Sequence, residues 1–222
     1  MPLHPGPGGD GTAYGLIAAR SVSSCPVFSS PELSAFLTTT GVVAIAEIGD
    51  KTQLLSLLLA ARFHRPWPIL AGILVATVAN HLAAAALGVW LEDLLAPQVL
   101  RWVLIASFVA MAIWTLIPDK LDDDAGPKSG PGRSSWGVFL TTLTMFFIAE
   151  IGDKTQLATT ALAARYDAIL IITAASTLGL MLANVPVVFL GKALMRRLPL
   201  NLARYLAAAA FLLLALALLL MG

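Results

Sequence analysis

Six apolar stretches follow one another along the chain, separated by short polar connections. Crossing a hydrocarbon core of ~30 Å takes ~20 mainly apolar residues, and each stretch meets that length. The first opens at Ser30-Pro31-Glu32, a helix-start signature with Ser at the cap and Pro at the first helical position, and runs to Ala61. The others are predicted over residues 67–90, 99–117, 136–164, 168–190 and 202–221. All five tryptophans (Trp67, Trp90, Trp102, Trp114, Trp136) fall near these ends, where amphipathic rings favour the headgroup level. The pattern predicts an all-α integral membrane protein with six transmembrane helices.

The polar run PDKLDDDAGPKSGPGRSS between the third and fourth spans reads as a solvated linker. Across it the chain repeats itself at an offset of 103 residues: Thr38 matches Thr141, Ala46-Glu47 matches Ala149-Glu150, Ala60-Ala61-Arg62 matches Ala163-Ala164-Arg165, and Gly88 matches Gly191. The expected organisation is a disordered tail over 1–30, a three-helix repeat over 31–118, a linker over 119–135 and a second three-helix repeat over 136–222. Three spans per half is an odd number, so the second copy enters from the opposite side and the repeats are inverted. Arg62, Arg65, Lys120, Lys128, Arg133, Lys192, Arg196, Arg197 and Arg204 lie on the linker's side, whereas only Arg20, Arg101 and Arg165 lie on the other. The positive-inside rule then puts the linker in the cytoplasm and both termini outside.

Composition narrows the function. With 58% hydrophobic and 12% charged residues and a net charge of +1, the chain offers no basic surface for nucleic acid. A mean hydropathy of +0.84 agrees with a bilayer as its partner. The single cysteine, Cys25, forms neither an internal disulfide nor a thiolate metal cluster. The longest apolar run of the tail, 13–19, is interrupted by Gly15 and too short for a signal-peptide core.

Against this background the stretch EIGDKTQ stands out, at 47–53 and again at 150–156. Each copy lies inside an apolar span, where a charge costs about 2.5–3.5 kcal/mol. Glu47, Asp50, Lys51, Glu150, Asp153 and Lys154 would together cost roughly 15–20 kcal/mol facing lipid, so they must face one another, a cavity or a bound ion. On a continuous helix Glu47, Asp50 and Lys51 share one stripe with Gln53 beside them, Thr52 points elsewhere, and Gly49 allows close approach or a local break. Two such stripes meeting at the midplane assemble four carboxylates (Glu47, Asp50, Glu150, Asp153) and two amides (Gln53, Gln156), an oxygen-rich cage for a hard divalent cation. Lys51 and Lys154 leave it a charge of minus two, which one divalent cation or two protons would cancel. That exchange of fillings is the core of a cation/proton antiporter. The plainer reading is a set of self-neutralising ion pairs in which the lysines are structural counter-charges.

Two copies of E-x-G-D-K-[ST] in a six-span inverted repeat resemble the Gdt family of manganese and calcium transporters of the Golgi, chloroplasts and bacteria. The likeness covers residues 31–222. It implies exchange of Mn²⁺ or Ca²⁺ for protons, with Glu47, Asp50, Glu150 and Asp153 as cation ligands, no cofactor and no enzymatic activity. Bacterial members are similar to manganese exporters, which implies a bacterial inner membrane. Preferred metal, stoichiometry and oligomeric state are left open.

Thr52 and Thr155 within the motifs, Asn80 and His81 in the second span and Asn184 in the fifth are candidate supporting residues, for coordination, proton relay or ordinary interhelical hydrogen bonds. Pro186 is expected to kink the fifth span. The linker acids Asp119, Asp122, Asp123 and Asp124 lack an EF-hand's glycine and terminal glutamate and read as a solvated loop. Three competing functions use the same acids. These are export of a cationic amino acid, an intramembrane aspartyl protease built on Asp50 and Asp153, and a channel, which four acids at one site would clog with a tightly held ion.

Overall fold

The computed structural model describes residues 30–117, 134–191 and 199–220. Among these residues there are eight helices and no strand: α1 (Ser30–Glu47), α2 (Lys51–Phe63), α3 (Pro66–Leu94), α4 (Pro97–Thr115), α5 (Ser135–Glu150), α6 (Lys154–Tyr166), α7 (Ile169–Leu190) and α8 (Leu200–Leu220). The expected tail and all but the end of the linker, with its four aspartates, lie outside the described residues.

Local chemistry sets these boundaries. Prolines occupy the first turns of α3 and α4, where their missing N–H would have had no helical partner anyway. Both α2 and α6 stop at a left-handed residue, His64 (φ 53°) and Asp167 (φ 47°), whose N–H groups bond back to Ala60 and Ala163. His64 and Asp167 are 103 residues apart, so the duplication extends to the left-handed cap, held in each half by a residue type that takes this conformation more readily than most. Pro186 lies within α7, which runs on to Leu190.

The first and fourth predicted spans are each two helices rather than one. Gly49 (φ +80°) and Gly152 (φ +72°) adopt left-handed backbone that ends α1 and α5, and the chain restarts at Asp50 and Asp153. α5 and α6 diverge by 68° across their break. By length and composition α3, α4, α7 and α8 can each cross a membrane, and the bent pair α5 and α6 passes the same test when taken together, as a broken span or a re-entrant loop.

The halves interlock. α3 lies along α5 and α6, α7 lies along α1 and α2, α3 and α7 pack together, and α4 packs on α8. Small residues permit this approach: a Cβ on Gly88 would sit 2.2 Å from the Thr160 carbonyl oxygen, and one on Gly179 2.8 Å from that of Thr40. The outer surface is apolar, with Trp67, Leu170 and Leu220 each about three-quarters exposed, while Glu47, Asp50, Glu150, Asp153 and Lys154 are buried. A surface that greasy around a charged interior belongs to an integral membrane protein.

Candidate cation site

Each motif is a helix break held open by its own side chains. Glu47 is the last residue of α1, and Asp50 caps α2, its Oδ2 accepting from Thr52 N at 3.5 Å. Gln53, three residues after the cap, reaches back so that its Oε1 accepts from Gly49 N at 2.8 Å, a variant of the capping box. The second copy repeats the arrangement, with Asp153 accepting from Thr155 N at 3.5 Å and Gln156 from Gly152 N at 2.6 Å. The expected single helical stripe is therefore corrected. Glu47 and Asp50 lie on opposite sides of a turn, and that turn directs both carboxylates inward. Thr52 does not point elsewhere: its hydroxyl donates to Glu47 Oε2 at 2.6 Å.

Each break docks on the middle helix of the other half. Gln53 Nε2 donates to the Ala183 carbonyl of α7 at 3.0 Å, and Asn80 Nδ2 of α3 to the Phe147 carbonyl of α5 at 3.1 Å. This brings the motifs together, and their charges cross over. Lys51 Nζ lies 3.3 Å from Asp153 Oδ1, and Lys154 Nζ pairs with Asp50 Oδ1. Both of these pairs join a lysine of one motif to the aspartate of the other. Carboxylate oxygens of Glu47, Asp50 and Asp153 lie within 4.8 Å of one another, all three residues buried. Like charges so close and out of water repel strongly unless cations intervene, which is the electrostatic condition for holding a metal ion.

The fourth carboxylate is oriented differently. Glu150 turns to α3, where Thr77 donates to its Oε1 at 2.9 Å and Asn80 to its Oε2 at 3.2 Å. Thr155 donates instead to Asp153 Oδ2 at 3.0 Å. The sequence reading missed Thr77, because a lone threonine in an apolar helix carries no signal of its partner. His81 is fully buried, with neither ring nitrogen hydrogen-bonded among the described residues. Asn184 accepts from the Ser56 hydroxyl and donates to the Leu180 carbonyl, a helix-to-helix bridge between α2 and α7.

The two breaks are also covered unequally. Lys154 is 4% exposed and Lys51 31%. Gly49 is buried under Leu200 of α8, whose Cδ2 would lie 3.1 Å from an added Cβ, whereas Gly152 is exposed with nothing within 4 Å.

A family model described as "Divalent cation/proton antiporter GDT1" matches residues 35–123 and 138–222. A Vibrio cholerae serotype O1 protein named "Putative manganese exporter" is 51% identical over 205 residues, covering 92% of this chain and 96% of that protein. A GDT1-like protein of Synechocystis is 27% identical over 158 residues, 61% of this chain and 73% of the relative. GDT1-like protein 4 of Oryza sativa subsp. indica is 28% identical over 158 residues, 61% of this chain and 55% of the relative. No solved structure gives a significant match.

Proposed function

The chain belongs to the GDT1 family of divalent cation/proton antiporters, and from that premise we propose that it exchanges Mn²⁺ for protons through the acidic site between its two motifs, with Ca²⁺ as a poorer cargo. The family is one of transporters, not of enzymes. One observation carries the reading: three buried carboxylates converge within 4.8 Å beside two buried or half-buried lysines. Carboxylate oxygens suit Mn²⁺ and Ca²⁺, and no softer donor lies in the motifs. The manganese name of the 51% identical relative favours Mn²⁺ over Ca²⁺.

In this reading α1 with α2, and α5 with α6, are broken spans, which brings the total to six in two inverted halves. Broken helices that meet at the membrane midplane are a recurring transporter device, because their exposed ends supply polar groups where continuous helices offer none. Bound metal would sit on the carboxylates and displace the lysines from them. When the metal leaves, the ammonium groups and incoming protons restore neutrality. The nine-to-three distribution of basic residues supports a cytoplasmic linker, and the Vibrio cholerae relative supports a bacterial inner membrane.

The test is flux in proteoliposomes with a panel of Mn²⁺, Ca²⁺, Mg²⁺ and Zn²⁺ and a pH dye inside. Mn²⁺ entry is expected to drive proton release in the opposite direction. Glu47→Gln and Asp153→Asn should abolish both while the protein still inserts. Normal flux in both variants would remove the site assignment.

A further inference from the structure

The two motifs are identical letter for letter, yet their glutamates have different surroundings. Both oxygens of Glu150 accept hydrogen bonds from α3, from Thr77 and Asn80. At an offset of 103 residues stand Leu180 and Ala183, which have no side-chain donor to give, and the neighbouring Asn184, which matches Asn80 if one residue is inserted, donates to the Leu180 carbonyl instead. Glu47 receives Thr52 on Oε2, and its buried Oε1 has no hydrogen-bond partner among the described residues. The oxygen cluster takes in Glu47, Asp50 and Asp153 and leaves Glu150 out. The difference therefore originates in the facing helices and not in the motifs.

We propose that Thr77 and Asn80 are positioning residues that hold Glu150 off the cation, so that the cargo rests on three carboxylates and the two sequence-identical glutamates do different work. This inference rests on the cation-site reading above. Glu47 Oε1 is a buried acceptor without a donor, which a metal satisfies, whereas the two donors on α3 draw Glu150 away from the oxygen cluster of Glu47, Asp50 and Asp153. Asn80 is also anchored to the Phe147 carbonyl, which fixes the donor pair over the last turn of α5. The charges agree. Three carboxylates against Lys51 and Lys154 carry one net negative charge, a divalent cation turns it to one positive, and Glu150 just outside the cluster cancels the remainder. A site of limited ligand charge also releases its ion faster than a full cage does, because ligand charge count tunes affinity for hard cations.

Mn²⁺ binding to the purified full-length protein, read from loss of the free-ion paramagnetic resonance signal, separates the roles. Glu47→Gln should lose binding, whereas Glu150→Gln should stay within about threefold of the parent, well short of a ligand loss. Thr77→Val with Asn80→Leu frees Glu150 to join the cluster, so binding tightens by about tenfold or more while transport turnover falls, giving KM and kcat that drop together. Thr77→Ser, which keeps the hydroxyl, should match the parent. The mirror change, Leu180→Thr with Ala183→Asn, gives Glu47 its own donors and should weaken binding. Equal loss of binding in Glu47→Gln and Glu150→Gln, or weaker binding in the Thr77/Asn80 variant, overturns the inference and leaves the cation site standing. Absence of Mn²⁺ binding by the parent protein would remove the site reading itself.

Discussion

Replacing Lys154 with methionine tests the crossed ion pairs directly. Its side chain is 4% exposed and its partner Asp50 is fully enclosed, whereas Lys51 is 31% exposed. Removing one member of a buried pair costs about 3–5 kcal/mol, because the other charge is left without compensation. Lys51 is itself more open, but the Asp153 it would leave is 2% exposed, so its loss lies between the surface and buried ranges, about 2 kcal/mol. Lys154→Met should therefore destabilise the protein by about 1–3 kcal/mol more than Lys51→Met. Adding Asp50→Asn to Lys154→Met should recover much of the loss, since neutralising both partners removes the orphan. The assay is denaturant or thermal unfolding in detergent, with and without Mn²⁺. Metal at a hundred times its dissociation constant adds about 2.7 kcal/mol to the parent and should add more to Lys154→Met, where it replaces the missing cation. Equal losses in the two lysine variants, or no rescue in the double variant, would refute the buried cross-pairing.

Two further outcomes follow from backbone geometry. Gly49→Ala and Gly152→Ala each place a side chain in left-handed backbone, at about 1–2 kcal/mol apiece, and Gly49→Ala should lose more because Leu200 lies 3.1 Å from the new Cβ. Unfolding midpoints of the pair check the order. Gly88→Ala drives a methyl to within 2.2 Å of the Thr160 oxygen, so α3 and α6 must separate, with an expected loss of about 1–3 kcal/mol in the same assay. A Gly88→Ala protein as stable as the parent would contradict the close packing of those helices.

The duplication, the apolar spans and the acidic motif were all legible in the sequence, because burying six ionisable groups leaves few physical options. The break at each motif was legible too, although the continuous apolar run on both sides argued for one helix. G-D-x-x-Q is a helix start in its own right: a glycine free to take positive φ, an aspartate cap, and a glutamine three positions later that reaches back. Reading it as a start would have placed Thr52 beside Glu47. The crossed lysines and the turn of Glu150 toward Thr77 were not legible. They depend on how α3 and α7 pack against the opposite half, and identical heptapeptides carry no trace of unlike neighbours.

The exchanged lysines also bear on what the molecule does between cargoes. A pocket of bare acids deep in a membrane would draw in whatever small cation reached it, or would splay apart. Here each half lends the other a tethered ammonium that occupies the aspartate in the cargo's stead. If cargo binds there as proposed, the resting protein keeps its own plug, and only an ion that out-competes that internal salt would pull it.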